Sequence, residues 1–108
     1  MHTINHNLVT LYEEEENGFV RLSIDEALDV YIMHVDFKKF SLSDYRRYRK
    51  AWKLILERLK QVGITEVYSL TDSKKERKFN LMFGFKSTGN LAVDDKGILS
   101  EILKLEVV

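Results

Sequence analysis

The 108 residues include no cysteine. Disulfide frameworks, thiolate zinc sites and cysteine nucleophiles are therefore excluded by inventory, and a reducing compartment is compatible. No uninterrupted apolar stretch approaches the roughly twenty residues of a membrane span. The N-terminal MHTINHNLVTLYEEEE lacks a charged segment followed by a long apolar run, so no secretory leader is expected. Together these absences point to a protein made and kept in the cytoplasm, with no membrane partner.

What is present fits one domain over residues 1–108. Apolar residues make up 44% and charged residues 31%, enough for a single core in a chain too short for two. Net charge is zero, but by cancellation between regions. Residues 1–37 carry eight acids and one base (net −7), residues 38–86 fourteen bases and five acids (net +9), and the remainder two bases and four acids (net −2). Such polarity suits an anionic partner or head-to-tail self-association. Neutralisation of the two ends within one fold is the plainer alternative.

The clearest local signal is a β-hairpin. Leu8 to Tyr12 and Phe19 to Ile24 flank the run Glu13 to Glu16 and the dipeptide Asn17-Gly18, which readily supplies the positive φ values of a tight turn. The four glutamates read as a solvated strand end rather than a metal site, because neighbours on a strand point to opposite faces. After a break at Asp25-Glu26, Leu28 to Phe37 reads as a central strand. Between Ser43 and Val62, the residues Tyr45, Tyr48, Trp52, Ile55, Leu59 and Val62 recur at spacings of three and four, the stripe of a long helix. Ser41 or Ser43 can cap its start and Gly63 end it. Ile64 to Leu70 reads as a strand. Ser73 to Phe83 reads as a short helix with Phe79, Met82 and Phe83 inward and Gly84 as its stop. Phe85 to Val93, the turn Asp94 to Gly97 and Ile98 to Val108 make a closing hairpin. The class is α/β, with a mixed, largely antiparallel sheet, one long and one short helix, in the order strand, strand, strand, helix, strand, helix, strand, strand.

The basic stretch YRRYRK, Tyr45 to Lys50, falls at the start of the long helix, where cations are disfavoured by roughly 0.3–1 kcal/mol each. Arg46, Arg47, Arg49 and Lys50 are therefore candidates for binding an anion. They could equally solvate one face, since Arg46, Lys50, Lys53, Glu57 and Lys60 fall together opposite the stripe. Lys74, Lys75, Arg77 and Lys78 add a second basic cluster. No nucleic-acid-binding motif accompanies either, and Tyr45, Tyr48 and Trp52 lie on the core stripe rather than on a stacking platform. His34 and Asp36 share one face of the central strand and are the candidates for a general base. His2 and His6 are the weakest candidates, as metal ligands, and no metal site is expected.

The element order, with KKERKFNLMFGFKSTG ending its short helix in Gly84-Phe85, resembles the C-terminal two thirds of the GNAT acyltransferase superfamily over about Val20 to Val108. The resemblance implies that the family's first strand and two helices are missing or reduced to the hairpin. It further implies a CoA pyrophosphate site at the start of the long helix, built on Arg or Gln, two residues, Gly, one residue, then Gly or Ala. Here the segment Arg46-Arg47-Tyr48-Arg49-Lys50-Ala51 keeps Arg46 and Ala51 but has Arg49 at the glycine. The family's frequent asparagine falls at Ser73, and its tyrosine general acid at Asn80, which cannot donate a proton to a leaving thiolate. YRRYRKAWKLILERLKQVG, ERKFNLMFGFKSTG and DDKGILSEILKLEVV are also similar to small GNAT-like internal virion proteins of short-tailed coliphages. That resemblance implies a non-catalytic, degenerate GNAT-like binding protein in virion assembly. It would have no cofactor and a protein partner or second copy, and would lie in the bacterial cytoplasm or the particle. The alternative is a CoA-dependent N-acyltransferase that takes acetyl-CoA through an arginine-rich pyrophosphate site. A nucleic-acid module is the third class.

Overall fold

The computed structural model describes residues 8–93 and 96–107. His2, His6, Asp94, Asp95 and Val108 lie outside the described residues. The elements are β1 (Val9–Glu14), β2 (Gly18–Asp25), β3 (Val30–Phe37), α1 (Leu42–Gln61), β4 (Glu66–Thr71), α2 (Lys74–Met82), β5 (Lys86–Val93) and β6 (Leu99–Glu106). One six-stranded sheet runs in the order β1-β2-β3-β4-β6-β5. Every junction is antiparallel except that between β3 and β4. The exception follows from α1, since a strand–helix–strand crossover returns the chain beside β3 in the same direction. This is the mixed, largely antiparallel α/β arrangement expected from the element order.

Alternation along the strands sends Val20, Leu22, Met33, Phe37, Val67, Leu103 and Leu105 to one face, where all are buried. Both helices cover that face. Phe37 stacks on Tyr48 of α1 at 4.2 Å and meets Phe79 of α2 at 5.7 Å. Trp52 of α1 donates its indole N–H to the Phe83 carbonyl at 3.0 Å. The opposite face carries Phe19, Arg21, Ile32, His34, Tyr68, Leu70 and Lys104, none of them buried. Gly63 (φ 84°) stops α1 in the left-handed conformation open to glycine.

Four local expectations are corrected. The positive φ in the first hairpin falls at Glu16 (60°), not at Asn17-Gly18. Asn17 is needed for its buried amide, and Gly18 because an added Cβ would sit 1.8 Å from the Asp36 carbonyl oxygen. The strand expected from Leu28 begins at Val30. Its first residues instead form a turn in which Asp29 is left-handed (φ 56°) and Leu28 is 70% exposed. Val62, placed on the helical stripe, is 72% exposed, because it is the C-cap of α1 and has left the helical screw. In α2 it is Asn80, not Met82, that joins Phe79 in the interior.

Candidate functional site

Ser41 is the N-cap of α1. Its hydroxyl accepts from the Asp44 N–H (3.2 Å), while Asp44 Oδ2 accepts from the Ser41 N–H (2.8 Å) and hydroxyl (2.6 Å). This capping box places the chain's own carboxylate at the electropositive helix end, where an external anion would otherwise be drawn. Arg47 is likewise engaged within the chain. Its Nε and Nη2 donate to Glu14 at 2.7 Å each, and its Nη1 pairs with Asp44 at 2.9 Å. The Arg47 bond, opposed by burial and helped by Tyr12 and Asn17, pulls the Glu14 carboxyl down to about 2. Burial first, then the bond it donates to Glu14, pushes the Tyr12 hydroxyl up to about 12. Glu14 of the acidic run is therefore a partner of the basic run, and Glu13, Glu15 and Glu16 stay exposed.

Arg46, Arg49 and Lys50 are exposed, and none forms an ion pair among the described residues. Arg46 and Arg49 line a cavity of about 270 Å³ between the helices, with Leu42, Tyr45, Met82 and Phe83. Of the four cations in the candidate anion site, the structure thus groups two at one cavity, ties one to carboxylates and leaves Lys50 on the surface.

A second constellation lies at the parallel seam. The register of β3 and β4 meets at Ile32 and Tyr68, and beyond that pair two cavities open, of about 290 and 110 Å³. Both are lined by Val35, Asp36, Glu76 and Asn80. A cavity beside two parallel strands, lined by convergent polar groups, is a candidate ligand site. Asn80 is 3% exposed and donates its Nδ2 to Ser69 Oγ at 2.9 Å. Ser69, also buried, has no acceptor for its own proton among the described residues, and Asn80 Oδ1 has no donor. A buried polar group left unpaired costs about 1–3 kcal/mol. Such a pair calls for something that carries both a donor and an acceptor.

Both base candidates reach this seam. Asp36 lines the two cavities, and His34 lines the larger. His34 Nε2 shares a hydrogen bond with Ser23 Oγ at 2.8 Å, and burial together with Arg21 lowers its pKa. Sequence reasoning missed Glu76. Ser73 caps α2 by accepting from the Glu76 N–H at 3.3 Å, which fixes Glu76 in the first turn. Burial first, then Asp72 and Asp36, raises its carboxyl above the usual range. The available signal was its spacing of four from Asn80, which puts both on one face of α2. Among the described residues, no group of three His, Asp or Glu side chains is placed to hold a metal ion. No helix among them is long and apolar enough to cross a membrane.

Three solved structures share this architecture. An aminoglycoside 6'-acetyltransferase type Ii superposes with a TM-score of 0.67 at 11% identity, over 96% of this chain and 72% of that one. A protein assigned to the GNAT-family acetyltransferases, from Desulfovibrio desulfuricans, gives 0.61 at 15% identity, over 90% and 65%. An assigned N-acetyltransferase from Lactobacillus plantarum gives 0.56 at 17%, over 90% and 66%. The chain has the GNAT fold. It spans about two thirds to three quarters of the length of these neighbours. The sequence matches no family model and no curated protein.

Proposed function

We propose that this GNAT-fold chain is a CoA-dependent N-acyltransferase with an atypical site, the alternative raised by its sequence. The observation that carries the reading is the buried Ser69–Asn80 pair, with donors and an acceptor unmatched among the described residues, at the seam between the parallel strands. The arm of CoA carries amides, each an N–H beside a C=O, the complementary groups for an unmatched acceptor and donor. Arg46 and Arg49, without carboxylate partners among the described residues, suit the phosphates by side chain alone. The backbone at the α1 N-terminus is already capped by Ser41 and Asp44.

Bound acyl-CoA would supply the activated thioester. Glu76, its carboxyl raised by burial and by two neighbouring acids, suits the role of general base. It takes the proton that an acceptor amine sheds as its nitrogen forms the amide. Asn80 has no proton to give the departing thiolate, so that proton comes from solvent. Asp36 stands across the same opening and favours a cationic acceptor.

The rival is a non-catalytic GNAT-like protein acting in phage particle assembly. Its support is the closed α1 N-terminus and the amide in place of a phenol. Isothermal titration with acetyl-CoA at low salt separates the two. The enzyme reading expects saturable one-site binding, weakened tenfold or more by Arg46→Ala with Arg49→Ala. It also expects thiol release with a primary amine, lost in Glu76→Gln. No heat at about millimolar ligand would retire that reading and favour the assembly role.

A further inference from the structure

The cavity bounded by Arg46 and Arg49 lies between α1 and α2, with Leu42, Tyr45, Met82 and Phe83 as its walls. Leu42 is 69% and Met82 49% exposed, so its rim is apolar and open. Around it the helical surface is cationic, with Lys50, Lys53 and Lys78 exposed. An occupant therefore needs an aliphatic anchor set among carboxylates.

The same chain displays such a group at the β2–β3 turn, Asp25-Glu26-Ala27-Leu28-Asp29. Leu28 is among its most exposed large apolar residues. It is held out rigidly, because its N–H donates to Asp25 Oδ1 at 3.1 Å and Asp29 follows in the left-handed conformation. A preorganised loop loses little entropy on docking. The other acidic edge is a poorer match. Its Glu14 is spent on Arg47, and its exposed members Glu13, Glu15 and Glu16 flank no exposed apolar side chain in the turn.

We propose that the groove between α1 and α2 receives the β2–β3 turn of a second copy of this chain, with Leu28 entering the cavity and Asp25 and Asp29 meeting Arg46 and Arg49. The turn opens β3, and the groove lies beside the helix entered from its far end. An eight-residue strand, roughly 25 Å long, therefore separates knob from hole, and no chain can satisfy its own groove. The contact is heterologous, so copies add head to tail until a ring closes or a filament grows. This contact does not depend on the acyltransferase reading.

Sedimentation velocity from micromolar to about millimolar chain at low salt tests it. The native chain should gain mass with concentration and lose it again in about 0.5 M salt. Leu28→Ser alone, and Arg46→Glu with Arg49→Glu, should each stay monomeric; all three positions are exposed, and circular dichroism confirms folding. Mixed one to one, the two variants should form a discrete dimer, since each keeps the surface the other lacks. Because CoA phosphates and the second copy would share Arg46 and Arg49, Leu28→Ser should tighten acetyl-CoA binding where both readings hold; where acetyl-CoA does not bind at all, the sedimentation result still stands, so the two readings fail separately. A native chain that stays monomeric overturns the proposal and leaves the groove to an acidic peptide of another protein. Variants that associate like the native chain, or a mixture that remains monomeric, overturn it equally.

Discussion

The two flanks of the C-terminal end of β3 are built from similar polar residues and treat them differently. On the β2 side, the Asn17 amide makes all four of its hydrogen bonds. It donates to Glu14 (2.7 Å) and Tyr48 (2.8 Å) and accepts from the Lys38 and Lys39 N–H groups (3.1 and 3.0 Å). Tyr48 passes its proton on to the Lys39 carbonyl at 2.6 Å. On the β4 side, Ser69 and Asn80 make one bond between them and, among the described residues, leave the Ser69 hydroxyl proton, the second Asn80 N–H and Asn80 Oδ1 unmatched, beside two carboxylates. Groups matched one for one hold the fold together. Groups left over at a cavity are where a ligand can be recognised.

That contrast breaks most visibly at Gly18. Gly18→Ala should cost more than about 4 kcal/mol, because its Cβ would overlap the Asp36 carbonyl oxygen at 1.8 Å. Urea titration followed by circular dichroism reads the loss. Asn17→Ala comes next, at about 2–4 kcal/mol, since several buried partners are orphaned at once. Replacing both seam partners, Ser69→Ala with Asn80→Leu, should change stability by less than about 1 kcal/mol, because matched apolar replacement removes a bond without orphaning a group. The same double variant should weaken acetyl-CoA binding. A loss as large as that of Asn17→Ala would make the seam structural and erase the difference.

In pH the two flanks respond with opposite sign. Glu14, lowered from 4.5 to about 2, contributes stability that is complete above about pH 4.5 and is lost as pH falls toward 2. Glu76 has a raised carboxyl. Its contribution is present below the ordinary carboxylate value and is lost as pH rises through its folded pKa. Thermal melts of Glu76→Gln should therefore match the native protein in acid and exceed it slightly at neutral pH, while Glu14→Gln should differ from it only above the acid range.

Much of this was legible from periodicity. The stripe Tyr48, Trp52, Ile55 and Leu59 is buried as its spacing required, and Ser41, Gly63 and Gly84 act at the helix ends where capping chemistry puts them. Long-range matches were not. Glu14 and Arg47 are 33 residues apart, and nothing local says that a strand-end glutamate will find a helical arginine rather than solvent. Asn17 was assigned a turn's dihedral preference because local sequence offers no view of the backbone it serves, at Lys38 and Lys39. At the candidate site, the strand period alone puts His34 and Asp36 on one face, as the structure has them. Glu76 and the Ser69–Asn80 pair depended on how β3 and β4 part, a tertiary fact without a sequence period.

The Asn17 amide also bears on how long the native state lasts. Three of its four bonds span 21 to 31 residues, so they close only after the hairpin, β3 and α1 have met. Interactions that form after the rate-limiting step leave the folding rate nearly untouched and govern unfolding instead. A chain without this amide would reach its native state about as quickly and leave it on the order of thirty-fold sooner for a 2 kcal/mol loss. The residue that looked like a turn former thus acts as a latch on lifetime.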